Sequence, residues 1–401
     1  MAVRSTPPGL MRLGVVGLGR AASSMLPSLG AHPRIALVTA ADPDARARER
    51  FAREYGGATF AGAEELCRDG AVDAVYIATP HQRHAADVEI AARYGKHAIV
   101  EKPMALTLDE CDRMVAAARA AGTVLIVGHT HGFDPAVMAM REVIARGELG
   151  VLRMIVNVVY TDFLYRPRRP EELDTALGGG IVYNQIPHAV DVARTLDGGP
   201  LRSVKAIAGA WDPARRTEGA LAALLEFEDG VAASIAYSGY DRFDSDELTF
   251  SIAESGARKQ LAHGSARRAL AEARTPQAEA ALKARTGYGG SGVRPPSGPA
   301  HQPHFGLLIV SCERGDMRIG ADGVLVYGDG GVHEIPLARG RAFPNKDNVA
   351  DELANAVLDG MRPLHDGVWG RATVEATLAL LRSAQERREI VLSGGAFAGA
   401  R

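Results

Sequence analysis

Leu13-Gly14-Val15-Val16-Gly17-Leu18-Gly19-Arg20-Ala21-Ala22 is the stretch that decides the fold. A short apolar strand runs into G-x-G-x-x-[GA], and a helical pattern follows over 20–29. The glycine pattern alone is weak; between a strand and a helix it predicts a dinucleotide site. Gly17 permits the tight turn, Gly19 lets the backbone approach a pyrophosphate, and small Ala22 allows close helix–strand packing. Leu18, Arg20 and Ala21 complete the loop and open the helix, whose first N–H groups would hold the phosphates. Asp42 ends the next strand, 25 residues after Gly17, where a carboxylate would bond a ribose 2′-OH. The same carboxylate would repel a 2′-phosphate, so the pattern favours NAD over NADP. Two rival readings stay open. Asp42 also suits a helix cap ahead of Pro43, and Arg20, Arg46 and Arg48 suit either a solvated helix face or a 2′-phosphate.

The same rhythm continues outward. Strand patterns at 35–40, 73–78, 97–101 and 124–127 alternate with helical patterns at 45–55, 81–94 and 107–121, the last opened by Thr107 as N-cap. Such alternation predicts a doubly wound parallel sheet over residues 1–130. The remainder, 131–401, reads differently. After a linking helix at 135–145, β-rich runs fall at 151–160, 203–210, 220–227 and 231–237, and Glu228-Asp229-Gly230 is a hairpin turn. Successive strands without helices between them predict an α+β domain with a mostly antiparallel sheet. A polar, Ala/Arg-rich segment at about 257–304 reads as an insertion: a lid, a subunit contact or a mobile loop. Helices at 348–358 and 372–387 are expected to pack back on the first domain.

Composition narrows the function classes. The chain has 401 residues, 46% hydrophobic and 23% charged, which suits two globular domains. A formal net charge of -2 gives no electrostatic case for nucleic acid or an anionic membrane. The N-terminus has no apolar signal core and no apolar run reaches membrane-span length. Cys67, Cys111 and Cys312 lie far apart, without metal spacing or a disulfide framework, as a cytoplasmic chain would have. His129-x-His131 is too weak a pattern for a metal, and none is expected.

One further stretch carries chemistry. Lys96-His97-Ala98-Ile99-Val100-Glu101-Lys102-Pro103 is an apolar strand ending in a charged pair and a proline. Ligands of open α/β sheets bind at the carboxyl ends of the strands. Lys102 there is a proton carrier, a cofactor anchor, or part of a plain surface turn. Lysine stands at only six positions in an arginine-rich chain, and arginine could not titrate in this place.

These residues also carry a resemblance. Thr79-Pro80-x-x-x-His84, Gly95-Lys96-His97 and Glu101-Lys102-Pro103 resemble the middle signature of the Gfo/Idh/MocA oxidoreductases. The likeness extends to Phe133-Asp134-Pro135, Gly147-Glu148-Leu149-Gly150, Gly178 to Gly180 and His188-x-x-Asp191. It implies a Rossmann domain, an open-sheet domain that often forms homodimers or homotetramers, and hydride transfer between NAD(P) and an alcohol or ketone carbon. It further implies that Thr79, Pro80, His84, Glu101 and Lys102 contact cofactor, and that a cis Lys102–Pro103 bond aims the lysine. Lys102 becomes the proton acceptor if desolvation or charge lowers its pKa. His188, one helical turn from Asp191, would bond the substrate hydroxyl or share the relay. His81 suits the helix surface equally well.

The sequence departs from the family pattern at two places. Asn184 stands where many members carry an aspartate; it can orient a hydroxyl but takes no proton, which shifts proton chemistry to Lys102 or His188. Gly132 stands where an arginine often precedes the phenylalanine. The runs 128–131, 163–172 and 304–312 are similar to a narrower branch that oxidises phthalate cis-dihydrodiol. There Arg166, Arg168 and Arg169, with His131, would meet a carboxylated ring, or else the arginines pair with Glu171 and Glu172 on the surface. The expected substrate is a cyclic alcohol or diol. A sugar or inositol dehydrogenase, or a non-catalytic dinucleotide sensor, remains the alternative.

Overall fold

Strand β1 (Met11–Val16) lies within a six-stranded sheet, and all its residues but Arg12 are buried. The computed structural model describes residues 9–68, 71–128, 131–273, 275–285, 287–290, 301–339 and 343–392. The chain forms two compact units. The first comprises Met1–His129, Ala281–Pro295 and Arg341–Val374; the second Thr130–Ala280, Pro296–Gly340 and Glu375–Arg401.

In the first unit, elements numbered along the chain run β1, α1 (Arg20–Ala31), β2 (Ile35–Ala41), α2 (Ala45–Glu54), β3 (Ala58–Phe60) and α3 (Ala63–Arg68). Then come β4 (Ala74–Ile77), α4 (His84–Arg93), β5 (His97–Glu101), α5 (Leu108–Ala121) and β6 (Leu125–Gly128). The strand order is β3-β2-β1-β4-β5-β6, and every pair is parallel. The ends of β1, β2, β4 and β5 therefore emerge on one edge, and the order reverses at β1, where such folds bind nucleotides. Helix α5 starts with a capping box in which the Glu110 N–H donates to the Thr107 hydroxyl oxygen at 3.2 Å and the Thr107 N–H to the Glu110 carboxylate at 3.1 Å. This satisfies two end donors and is worth about 1 kcal/mol.

Distant segments complete this unit. Helix α11 (Pro344–Leu358) packs on α1, and the Arg34 guanidinium donates twice to Asp359, at 2.7 and 2.8 Å. A ring nitrogen of His32 lies 2.8 Å from Asp351, and the Val127 N–H donates to the His365 carbonyl at 2.9 Å. Helix α12 (Gly367–Glu386) has its first turns in this unit and its remainder in the second.

The second unit carries α6 (Pro135–Arg146), β7 (Leu152–Tyr160), α7 (Gly180–Asn184), α8 (Ile186–Asp197), β8 (Leu201–Gly209), β9 (Ala220–Phe227) and β10 (Ala232–Ser238). Helices α9 (Ser265–Ala273) and α10 (Pro276–Ala284) follow; α10 ends in the first unit. Then come β11 (Leu307–Cys312), β12 (Gly315–Ile319), β13 (Gly323–Gly328), β14 (Gly331–Pro336) and β15 (Ile390–Val391). Nine strands form one open sheet, β14-β13-β12-β11-β7-β10-β9-β8-β15, antiparallel except for β7 with β10. The Glu228-Asp229-Gly230 hairpin forms between β9 and β10, with Gly230 at φ +87°. One face packs on α6 and α8 through Val137, Met140, Ile186 and Val190 against Ile155, Ile235 and Leu225. The other face leaves Ile207 75% and Leu224 59% exposed.

The sheet is larger than the four expected strands. Strands β11 to β14 are five or six residues long, and β12 to β14 each begin with glycine, which dilutes the period-2 pattern that marks a strand. Pairing along the sheet supplies what local pattern does not.

Ahead of β11, His304 is buried with a ring nitrogen 3.1 Å from the Gly320 carbonyl, and burial pushes its pKa from 6.5 down to about 4. Its folded pKa is depressed, so the unfolded state binds the proton first as pH falls. Stability is therefore full above about pH 6.5 and is lost progressively toward pH 4, by about 3 kcal/mol from this group. Urea unfolding across that range should show the decline, and His304→Asn should flatten it.

Candidate active site

Gly17 adopts φ +91°, and a Cβ there would lie 2.7 Å from the Ala78 carbonyl oxygen. Only glycine makes this turn against β4. Gly19 is different: a Cβ would meet no protein atom within 4 Å. That side of Gly19 is open, which suits the approach of a pyrophosphate. Gly19 is also the N-cap of α1 and no side chain caps that end, so the first-turn N–H groups suit an anion.

The Asp42 carboxylate accepts from the Leu18 N–H and from the Asp44 N–H, both at 2.7 Å. The cap of α2 is Asp44, which accepts from the Arg46 N–H at 3.0 Å. Asp42 is thus not the helix cap. A carboxylate has about four acceptor positions, and two are taken by backbone. The remainder suit ribose hydroxyls beside the glycine turn. Arg46 pairs with Asp44 at 3.3 Å, and Arg48 donates to the Asp42 carbonyl at 2.6 Å. Arg20 is exposed at the start of α1. For Asp42→Ala we expect NAD to bind about 10- to 100-fold more weakly, the value of a charge-assisted hydrogen bond, with discrimination against NADP relaxed. Asp42→Asn keeps the acceptor and serves as control; an unchanged NAD/NADP ratio of kcat/KM in both variants sinks the assignment.

At the ends of β4 and β5 the polar groups are coupled. The buried Tyr76 hydroxyl donates to the Glu101 carboxylate at 2.7 Å, and burial, then Glu101, raises the phenol pKa. The Thr79 hydroxyl donates to Asp87 at 2.7 Å. Pro80 is exposed at the turn, and the Lys102–Pro103 bond is cis. Lys102 is half-buried at the end of β5. His84 was expected at the cofactor, but it is fully buried: its ring nitrogens lie 2.9 Å from the Pro103 carbonyl and 3.0 Å from the Thr79 carbonyl. Burial lowers its pKa, so it stays neutral at pH 7 and donates to one of them. Its place is beneath the turn, tying two strand ends that face outward. His81 packs edge-on to it at 5.6 Å.

The second unit gathers three rings. His131 and His188 are 4.7 Å apart between ring centroids at 74°, and Phe305 stacks on His131 at 4.5 Å and 25°. A ring nitrogen of His131 lies 3.0 Å from Asp134, and both side chains are buried. Gly306 brings Phe305 in: it has φ +70°, and a Cβ would lie 2.3 Å from the Val158 carbonyl oxygen. The Asn157 amide donates to the Phe305 carbonyl at 3.0 Å. Tyr237 donates to Gln185 at 3.2 Å beside this cluster. His129, with Thr130, lies outside the described residues.

The glycine-opened segment is not one helix. It breaks at Gln185 between α7 and α8, because Pro187 has no N–H to continue the ladder and sits in the first turn of a new helix. His188 and Asp191 share α8 and are buried; Asn184 ends α7, its amide donating to the Gly178 and Gly180 carbonyls at 3.2 and 2.8 Å. Asn184 thus holds the glycine turn.

The three arginines take different partners. Arg168 donates to the Phe163 carbonyl at 2.8 Å, lies 3.8 Å over the Phe163 ring and donates its N–H to Glu279 at 2.7 Å. Arg169 pairs with Glu171 at 3.0 Å. Arg166 donates to Asp162 at 2.7 Å and lies 3.8 Å from Glu254. Tyr76, Asp134 and Phe305 were missed as site residues in the sequence, although Asp134 and Phe305 lie in stretches that carried the resemblance and His131 with Asp134 has i, i+3 spacing. Tyr288 was missed as well. Its N–H donates to the Leu18 carbonyl at 3.3 Å, its hydroxyl to Glu54 at 2.5 Å, and Arg50 lies 4.5 Å over its ring. Part of the insertion therefore belongs to the glycine-turn side of the first unit. Among the described residues no cluster of three or more His, Cys, Asp or Glu is placed to hold a metal. None of the described helices is long and apolar enough to cross a membrane.

A glycine turn on a helix N-terminus, a carboxylate at β2 and a lysine at β5 define a nicotinamide-dinucleotide oxidoreductase. Family models agree: one described as an oxidoreductase family with NAD-binding Rossmann fold matches residues 11–129, and the GFO/IDH/MocA C-terminal domain matches 137–256. The chain belongs to the Gfo/Idh/MocA family of NAD-binding oxidoreductases. It is 43% identical to a 1-carboxy-3-chloro-3,4-dihydroxycyclo hexa-1,5-diene dehydrogenase of Comamonas testosteroni, over 92% of this chain and 94% of that one. It is 32% identical to the mouse trans-1,2-dihydrobenzene-1,2-diol dehydrogenase over 43% of this chain and 52% of that one. Its fold matches the crystal structure of a putative dehydrogenase from Bordetella bronchiseptica with a TM-score of 0.90 and 45% identity, over 95% of this chain and 100% of that one.

Proposed function

We propose that the protein oxidises a carboxylated cyclic dihydrodiol to the dihydroxy aromatic, with NAD as acceptor. The observation that carries this reading is the 43% identity, along nearly the full length of both chains, to a dehydrogenase whose name describes a carboxylated dihydroxycyclohexadiene. Bound NAD supplies the hydride acceptor. The residues at the glycine turn, with Asp42, suit its pyrophosphate and ribose.

In this reading the ε-amine of Lys102, in its neutral form, accepts the hydroxyl proton as the carbinol C–H leaves as hydride. The ring ketone so formed shifts one proton and becomes aromatic, so the enzyme's main task is to position one carbon and remove one proton. His188 bonds a substrate hydroxyl, and Phe305 with His131 gives the planar ring a flat wall. Asn184 supports these groups by holding the glycine turn. Arg166 is the arginine we assign to the substrate carboxylate: its guanidinium has five N–H donors, of which one goes to Asp162, with Glu254 3.8 Å away. The Arg168 guanidinium is engaged by the Phe163 carbonyl and lies 3.8 Å from Glu172, and Arg169 pairs with Glu171.

The exposed sheet face carrying Ile207 and Leu224 supports assembly as a homodimer or homotetramer. The unpaired Cys67, Cys111 and Cys312 suit a reducing cytoplasm.

The test is a substrate panel with NAD, followed by nicotinamide absorbance. Carboxylated cis-dihydrodiols should turn over well above uncarboxylated diols. Faster turnover of inositol or a free sugar would establish the sugar-dehydrogenase alternative, and NAD binding without any reduction would establish the sensor.

A further inference from the structure

A cavity of about 470 Å³ in the second unit takes no part in the chemistry above. Tyr160 and Ser238, register partners at the ends of β7 and β10, line it. Their neighbours Val159 and Tyr237 belong to the core with Phe305. Side chains alternate along a strand, so Tyr160 and Ser238 point to the opposite face from α8 and His188.

The walls are aromatic. Trp211 stacks on Tyr240 at 4.8 Å and 13°, yet stays 68% exposed. The Trp211 N–H donates to the Tyr240 hydroxyl oxygen at 2.6 Å, which fixes the pair. Tyr160 and Phe243 meet edge-on at 5.8 Å. Two arginines share the cavity. Arg267 lies 4.1 Å over the Tyr165 ring, and its N–H donates to Asp241 at 2.8 Å. Arg242 is exposed beside Asp241, a non-glycine residue held at φ +51°. Backbone strain of that kind persists only where surrounding contacts impose it, and it clusters at ligand sites. The one acid of the lining, Asp212, accepts from the Tyr165 hydroxyl, which keeps it ionised. Arg242 and Arg267 thus bring two guanidinium groups to the flat rings, with Asp212 in the lining and Asp241 behind the Arg267 backbone N–H.

We propose that this cavity is a second binding site, for a planar aromatic monocarboxylate whose ring lies on Trp211 and whose carboxylate pairs with Arg242 and Arg267. Its volume falls in the range of small-molecule sites. A free sugar would also stack on Trp211, but would give the arginines no anion. Inorganic phosphate would pair with the arginines, but would leave the rings unused. The proposal does not rest on the dehydrogenase reaction.

The chain has two tryptophans, Trp211 and Trp369, so Trp369→Phe makes Trp211 the sole reporter. Full-length protein without NAD is titrated with benzoate, glucose and inorganic phosphate while Trp211 emission is followed. Saturable quenching by benzoate, absent with the other two, is expected. Arg242→Gln should raise the half-saturating benzoate concentration about tenfold or more with the melting temperature unchanged. If Trp369→Phe fails to fold, equilibrium dialysis of radiolabelled benzoate against wild type and Trp211→Ala gives the same answer. No saturation at tens of millimolar overturns the site, as does equal affinity in Arg242→Gln. A blue-shifted, unresponsive Trp211 also overturns it, because a second copy then covers the cavity. The titration reads no turnover, so its failure is distinct from failure of the proposed dehydrogenase activity.

Discussion

Lys102→Ala should lower kcat by about 10²- to 10⁴-fold, the usual contribution of a positioned general base, while NAD still binds within about threefold of wild type. The lysine follows β5 on the strand-end edge that also carries the glycine turn and Asp42. Its backbone is fixed from below, because His84 lies between the Pro103 and Thr79 carbonyls and Tyr76 holds Glu101. Removing the side chain therefore removes the amine without undoing its support. Lys102→Arg separates charge from proton chemistry: the guanidinium keeps the positive charge but cannot give up a proton near neutral pH, so it should be as slow as alanine. Partial recovery of Lys102→Ala by added small amines would mark the lost group as a base. Turnover retained in both variants removes Lys102 from the mechanism.

Gly17→Ala should destabilise the protein by about 2–5 kcal/mol and abolish NAD binding. Left-handed backbone at φ +91° costs a non-glycine residue about 1–3 kcal/mol. The new methyl would also press on the Ala78 carbonyl oxygen at 2.7 Å and the Thr79 nitrogen at 2.9 Å, backbone atoms that cannot rotate away. Gly19→Ala is the informative partner. It meets no protein atom within 4 Å and its backbone is extended, so its melting temperature should stay near wild type while NAD affinity falls. Thermal unfolding and NAD titration of the pair separate the two roles of the motif. A Gly19→Ala protein that binds NAD as wild type does would show that the pyrophosphate lies elsewhere.

These residues differ in how much of their role is carried by local sequence. The glycine turn and the alternation behind it are local, and local chemistry is visible in order. Asp42 was legible as a strand-end carboxylate, but whether it or Asp44 caps α2 depends on the backbone path through Pro43. The break at Gln185 was in view as Pro187, which cannot continue a helical ladder. His84 kept its motif position but was expected against the cofactor, and it is instead buried against the Pro103 and Thr79 carbonyls. Phe305 and Tyr288 reach their places from more than 100 residues away, through β11 and the insertion. No spacing rule announces contacts of that range.

The first unit has a consequence for how the protein is made. Its central strands are synthesised within the first 128 residues, but α1 packs on α11, and the partners of Arg34, His32 and Val127 lie between Asp351 and His365. Closing contacts so distant in sequence costs loop entropy before it returns any stabilisation. A ribosome-bound chain ending near residue 130 would hold the nucleotide-binding strands with the α11 face of α1 uncovered. Such a nascent chain would be protease-sensitive and a client for holding chaperones until α11 emerges.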